Sequence, residues 1–190
     1  MKKQICGLII LMSFFITSCS FNNAPSFGNK IKIENNIKII DGDTISFNTN
    51  EDRNVIRIFG IDAPEIFKTW KDNAKYENYY AQKAAAFIKE IWNKSEEFYY
   101  IPLKKDKYNR IVSKLFYRYF GKEYDIGYEL VKEGLARVKY IDIVNKKSEY
   151  FTNAEENVNY FYLLKKIENL AKISKKNIWS KSLNEVFHKK

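Results

Sequence analysis

Three short segments gather the residue types that handle phosphate esters. They are Asp41-Gly42-Asp43-Thr44, Arg57-Ile58-Phe59-Gly60-Ile61-Asp62-Ala63-Pro64-Glu65 and Asp106-Lys107-Tyr108-Asn109-Arg110. Hydrolysis of a phosphodiester needs a charge clamp on the phosphate, an activated water and stabilisation of the leaving oxygen. Carboxylates gathered without His or Cys favour a hard, oxygen-seeking cation such as calcium or magnesium. On that chemistry Asp43 and Asp62 are the candidate metal carboxylates, and Glu65, just past Pro64, is within reach of a water at the metal edge. Arg57 and Arg110 offer bidentate forks for phosphate oxygens. Lone carboxylates at strand ends repel one another, and a bound cation removes that penalty. Taken singly, each segment also has an ordinary reading: Asp-Gly as a hairpin turn, Asp before Ala-Pro as another turn, and the charged Asp106 segment as a solvated loop.

The remaining reactive residues narrow the chemistry. Both cysteines, Cys6 and Cys19, lie in the leader region, and the single histidine, His188, stands near the C-terminus. The folded part therefore holds no internal disulfide and no cysteine metal site, and a histidine triad or zinc site is excluded. Catalysis must run on carboxylates, Arg, Lys, Tyr or Ser. The formal net charge of +10 attracts polyanions, for which nucleic acid and anionic lipid both qualify; abundant lysines also keep a secreted protein soluble. The length of 190 residues suits one domain plus a leader. A hydrophobic fraction of 45%, with 14 Tyr and 14 Phe, is enough for a packed core.

The elements that must position these residues follow from periodicity. Ile31, Ile33, Ile37, Ile39, Ile45 and Phe47 alternate around the turn signals Asn35-Asn36 and Asp41-Gly42, which predicts strands. Residues 55–59 form a third strand closed by Gly60, and residues 65–76 are polar and irregular. A helix follows, with Ala84, Phe87, Ile88 and Ile91 on one buried face. Residues 98–103 and 111–119 predict two further strands. Asp125 is placed to cap a short helix that contains Ile126, Leu130 and Val131 and stops at Gly134. Thr152-Asn153-Ala154-Glu155 has the capping-box pattern and opens a helix with a stripe of Phe161, Leu164, Ile167 and Leu170. This order predicts an α+β fold, a five-stranded OB-fold Greek-key β-barrel with three α-helices, which is an architecture often used on nucleic acids and oligosaccharides.

The N-terminal region has its own pattern. Lys2 and Lys3 precede a mostly apolar run over residues 5–16, too short to span a bilayer but suited to a signal-peptide core. Ile16-Thr17-Ser18-Cys19 resembles a bacterial lipobox, with cleavage before Cys19 and lipidation of its thiol. The alternative is an ordinary signal cleaved nearby, with Cys19 incidental. The expected organisation is a lipoprotein signal peptide at 1–18, a flexible tether at 19–30, the folded domain at 31–180, and a basic tail at 181–190 with no assigned role. The expected location is exported and lipid-anchored to a bacterial membrane, on its periplasmic or cell-surface face.

The three segments, in this order and at this spacing, resemble the staphylococcal nuclease (thermonuclease) family over most of residues 37–180. Glu133-Gly134-Leu135-Ala136-Arg137-Val138 and the closing Asn177-Ile178-Trp179-Ser180 belong to the same resemblance. It implies that Asp43 and Asp62 bind one calcium ion, helped by the backbone carbonyl of Ala63. It further implies that Glu65 acts on the attacking water as general base or orienter, and that Arg57 and Arg110 hold the scissile phosphate. Lys107, Tyr108 and Tyr140 match positions that contact the nucleotide's terminal phosphate or base. The implied substrates are DNA and RNA, single strands preferred, cut to leave 3′-phosphate ends by a monomer. Stacking-based recognition accounts for low sequence selectivity.

Several positions depart from the family pattern. Ala63 replaces a Thr of the best-known member, where only the backbone carbonyl is needed. Asn109 replaces a common Gly, and Asn tolerates the left-handed backbone region. Asp142 stands where a second nucleotide-facing Tyr is frequent, which implies weaker base binding or a shifted product affinity. The loop after Glu65 is longer and carries Phe67, Trp70 and Tyr76, expected to pack the loop rather than stack on bases. Two other readings stay open: a non-catalytic OB-fold module that binds nucleic acid, and a basic surface that holds another anionic polymer. The presence of all five proposed catalytic side chains favours catalysis, because a binding module can lose any of them at no cost to folding.

Overall fold

A computed structural model describes residues 29–49, 52–67, 69 and 72–188. The predicted leader, the lipidation site Cys19, most of the tether and Trp70 lie outside the described residues. In chain order the elements are β1 (Ile31–Lys32), β2 (Ile37–Asp41), β3 (Thr44–Asn48), β4 (Arg53–Ile58), β5 (Ile61–Asp62), α1 (Glu77–Lys94), β6 (Glu97–Lys105), β7 (Ile111–Tyr119), β8 (Lys122–Asp125), α2 (Ile126–Lys132), β9 (Arg137–Val138), α3 (Glu155–Ile173), a 3-10 turn (Asn177–Ser180) and α4 (Leu183–Val186).

The first predicted strand is split into β1 and β2, and the other four are β3, β4, β6 and β7. The sheet runs β1-β6-β7-β4-β3-β2, with β8 added to β7. β3 is antiparallel to β2 and β4, β6 is antiparallel to β7, and β4 and β7 run parallel. This is the Greek-key order of an OB fold, with α1 inserted between β4 and β6. Among the described residues β1 and β2, at the two ends of this path, are not paired with each other. The reason lies in the Asn35-Asn36 turn. It breaks the first strand, so its start pairs with β6 and its remainder with β3. Asn35 Nδ2 fixes the break by donating to the Asn48 carbonyl at 2.6 Å.

The apolar residues on the inner faces meet the helices in one core. Ile45, Ile56, Ile88, Leu115, Leu130 and Val131 are wholly buried in it, and each such side chain contributes about 1.5–3 kcal/mol relative to exposure. Two helix expectations need correction. Thr152 does not cap α3; the N-cap is Ala154 without a side-chain cap, because the Thr152 hydroxyl accepts from Asn157 Nδ2 at 3.1 Å instead. The buried face of α3 is Tyr160, Leu164, Glu168 and Ala171, while Leu170 is 53% exposed. A glutamate sits on that face because it is fully answered. It accepts from the Val138 N–H at 2.7 Å, Lys165 Nζ at 2.6 Å and Lys172 Nζ at 2.8 Å.

The core also encloses charge. Lys114 Nζ lies 4.3 Å from the Tyr160 ring centroid. The Tyr160 hydroxyl donates to Asp125 Oδ1 at 3.0 Å, and the Tyr128 N–H at the start of α2 donates to the same oxygen at 2.8 Å. Asp125 therefore caps α2 as the sequence predicts. Burial raises its carboxyl to about 6, against the opposing hydrogen bonds and the Lys114 charge. Burial lowers Lys114 to about 8. A carboxyl raised in the folded state binds more protons there than in the unfolded chain, so its contribution to stability diminishes as pH rises from its ordinary value through about 6. Asp125→Asn keeps an oxygen for the Tyr128 N–H and removes the titration. Its stability deficit in urea unfolding should therefore shrink between about pH 4 and about pH 7. A deficit that stays constant or grows over that range would contradict the assignment.

Candidate active site

The turn between β2 and β3 is where the site begins. A Cβ on Gly42 would stand 2.4 Å from the Ala84 Cβ and 2.8 Å from the Ala63 Cβ. The glycine is thus required for close approach, not for a left-handed backbone, since its φ is not positive. It lets the turn sit against α1 and the end of β5, which directs Asp43 inward to 2% exposure. The buried carboxylate is well answered. The Ala63 N–H donates to Oδ2 at 2.7 Å, the Thr44 hydroxyl donates to Oδ1 at 3.0 Å, and Arg57 Nη1 contacts Oδ1.

Asp62, at the end of β5, pairs in register with Arg137 of β9. Arg137 Nε and Nη2 both reach Asp62 Oδ2, at 2.8 and 2.7 Å, and Lys139 Nζ lies 3.4 Å from the same oxygen. Oδ1 faces Arg57 Nη2 at 3.6 Å. Arg57 therefore stands between both carboxylates, with Nη2 also donating to the Ile61 carbonyl at 3.2 Å. Burial pulls its guanidinium below the ordinary arginine range, and the charges of Asp62 and Asp41 oppose that shift. Its Cζ lies 5.2 Å from the Tyr140 ring centroid.

Arg110 is aimed by the β6–β7 turn. Asp106 Oδ1 accepts from the Tyr108 and Arg110 N–H groups at 2.9 Å each, and Oδ2 accepts from Arg110 Nε at 2.7 Å. Burial raises the Asp106 carboxyl, but these hydrogen bonds outweigh it and leave it below the ordinary carboxylate value. Asn109 takes the left-handed backbone at φ 60°, as expected for an Asn in place of a Gly. The Arg110 guanidinium lies 5.3 Å from the Tyr108 ring centroid.

All the sequence-predicted residues from Asp43 to Tyr140 line one cleft of about 590 Å³. Glu65, half-buried, lies on its wall, while Tyr108 and Lys107 stand exposed at its rim. Among the described residues, no three His, Cys, Asp or Glu side chains form a metal cage.

Sequence reasoning missed four residues at this site. Arg137 and Lys139 engage Asp62, and Glu149 and Tyr150 complete the cleft wall. Tyr150 bears on the expectation for Asp142. The Asp142 carboxylate accepts from the Val144 and Asn145 N–H groups at 2.9 Å each. Its N–H donates to the Tyr150 carbonyl at 3.0 Å, and its carbonyl accepts from Thr152 at 2.8 Å. This loop brings Tyr150 against Tyr140, with ring centroids 4.9 Å apart. Burial raises the Tyr150 hydroxyl to about 12, with Glu149 adding to the shift. The loop that Asp142 holds together thus brings a ring to the cleft wall. The signal was Asp142 followed by Asn145 and Ser148, which is loop-building chemistry. In the loop after Glu65, Tyr76 packs against Tyr80, Ile178, Val186 and Phe187, as expected, while Phe67 is 57% exposed.

An OB-type domain that presents two buried carboxylates and paired guanidinium groups in one cleft defines a domain suited to phosphate esters. Comparison with known proteins places it more closely. A family profile, Staphylococcal nuclease homologue, matches residues 55–181, and the chain belongs to that family. It is 30% identical over 189 residues to a thermonuclease of Staphylococcus hyicus, covering 95% of this chain and 99% of that protein. It is 30% identical over 145 residues to a thermonuclease of Staphylococcus intermedius, covering 76% and 74%. It is 33% identical over 147 residues to the SPbeta prophage-derived endonuclease YokF of Bacillus subtilis, covering 76% of this chain and 43% of that one.

The compressed turn makes a direct prediction. Gly42→Ala forces a methyl into Ala84 and Ala63 and should cost about 1–3 kcal/mol. Urea unfolding measures it, and an unchanged midpoint would contradict the packing account.

Proposed function

We propose that this chain is a nuclease, a hydrolase that cuts the phosphodiester bonds of DNA and RNA with little sequence preference. Single strands are the preferred substrate, one calcium ion is the cofactor, the products carry 3′-phosphate ends, and the protein acts as a monomer. The observation that carries this reading is the convergence of Asp43, Asp62, Glu65, Arg57 and Arg110, from three separate segments, on one cleft. The thermonuclease and endonuclease names of its relatives support it.

The donor set fits calcium. Oδ1 of Asp43 and Oδ1 of Asp62 both face the same guanidinium, so two hard oxygens converge on one cationic position. Asp43, Asp62 and the Ala63 carbonyl would hold the ion, which supplies Lewis-acid polarisation of the phosphate and offsets its charge. The chain's own groups do the rest. Glu65 orients the attacking water and accepts its proton. Arg57 exchanges its carboxylate partners for phosphate oxygens, and Arg110 grips the same phosphate, so both stabilise the charge that builds up in the transition state. Lys107 and Tyr108 meet the terminal phosphate at the rim, and Tyr140 with Tyr150 offers an aromatic wall on which any base can stack.

We also read Cys19 as the lipid attachment point that holds the exported domain to a bacterial membrane, on its periplasmic or cell-surface face. Lys2, Lys3, the apolar run and Ile16-Thr17-Ser18-Cys19 support this. Labelled palmitate should enter the parent protein and not Cys19→Ala; equal labelling would rule out the anchor.

Single-stranded DNA incubated with the mature protein separates catalysis from binding. Cutting should require calcium, stop with chelator and be lost in Glu65→Gln. Binding without cutting under every condition would make the domain a binding module. Arg57→Lys and Arg110→Lys should each lower kcat by roughly 10²–10³, and turnover equal to the parent would remove that arginine from the mechanism.

A further inference from the structure

The family match ends at Lys181, but the chain continues as a packed element. Ser182 and Glu185 form a reciprocal capping box that opens α4. The Tyr76 N–H donates to the Glu185 carbonyl at 2.7 Å. The His188 N–H donates at 3.3 Å to Glu77 Oε2, a buried carboxylate oxygen that also accepts from the Ala74 N–H at 3.0 Å. Val186 and Phe187 are buried with Tyr80 and Ile178 in a small core of their own. Residues 182–188 of the basic tail thus have a fixed seat on α1 and on the loop that follows Glu65.

Phe187 faces two ways. One side joins that small core. On the other its ring centroid lies 3.7 Å from Arg137 Cζ, and Arg137 places both Nε and Nη2 on Asp62 Oδ2. Asp62 is therefore only two contacts away from the C-terminal segment. The direction of the Arg137 fork matters. With Oδ2 taken by both nitrogens, Oδ1 is the oxygen turned toward Arg57 and the cleft. A long guanidinium side chain holds such a pose only when its plane is fixed, and an aromatic face fixes it by stacking and cation–π attraction. Groups that orient a metal carboxylate from behind strongly affect ion affinity.

We propose that Phe187 is a positioning residue for Asp62: it locks the Arg137 guanidinium and so aims Asp62 Oδ1 at the cation position. This rests on the reading of Asp62 as a calcium ligand. The C-terminal segment beyond the family domain is then part of the active site's support.

Calcium titration calorimetry on the whole mature protein tests this without relying on activity. Phe187→Leu keeps an apolar side chain among Tyr80, Ile178 and Val186 but removes the ring face. Phe187→Tyr keeps the ring. The Leu variant should bind calcium about three- to tenfold more weakly, with thermal unfolding close to the parent, and the Tyr variant should match the parent. Unchanged or tighter binding by the Leu variant overturns the proposal. So does equal weakening in both variants, which would make the effect one of packing. Asp62→Asn, titrated alongside, separates the underlying reading: if it binds calcium as the parent does, Asp62 is no ligand and the proposal fails with that reading.

Discussion

A carboxylate buried in the turn between the first two strands of the barrel sets the terms for the rest of the site. Asp43 is almost wholly out of water, and an ionised group there is tolerable only if hydrogen bonds and opposite charge replace its hydration. Each replacement comes from a different part of the chain. Thr44 is its neighbour, the Ala63 N–H comes from the end of β5, and Arg57 comes from β4. The Gly42 turn, the β3–β4 register that sets Thr44 opposite Arg57, and the short β5 strand all serve that one requirement. Because the same oxygens that need partners in the folded protein are the ones a hard cation would use, the structural constraint and the proposed chemistry coincide.

The second acid is handled differently. Asp62 is divided between two arginines, with Arg137 and Lys139 on one oxygen and Arg57 toward the other. One face is committed to the scaffold and one to the cleft. Farther out, Arg110 and its partner Asp106 form a tight local unit within the β6–β7 turn. That unit makes the arginine's direction a property of five consecutive residues rather than of the barrel. The cleft thus combines a deep, tertiary-held half with a shallow, locally held half. The tyrosines at positions 108, 140 and 150 stand along its wall, where a flat, apolar and polarisable partner would lie.

Replacement of one residue by another from elsewhere recurs through the molecule. Asp142 faces its own loop instead of the cleft and builds the turn that supplies Tyr150. The α3 face gives up Leu170 to solvent and buries Glu168, whose charge is met by two lysines and the β9 backbone. Thr152 abandons its capping role because Asn157 competes for its hydroxyl. In each case a partner distant in space or one turn along decided the outcome against the local pattern.

What the sequence determined by itself is what depends on short-range pattern. Alternation of Ile residues sets the strands, the Asp125 and Gly134 signals bound α2, and the residue types of Asp43, Arg57, Asp62, Glu65 and Arg110 mark side chains that line the cleft. Periodicity and turn chemistry act over a few residues, so they survive without coordinates. Only the tertiary structure decided that Arg137 and Phe187 stand behind Asp62, that Tyr150 joins Tyr140, and that Val186 and Phe187 pack on α1. Those contacts join residues far apart along the chain. They exist because buried charge and exposed apolar surface must each find a partner in three dimensions, which no local pattern specifies.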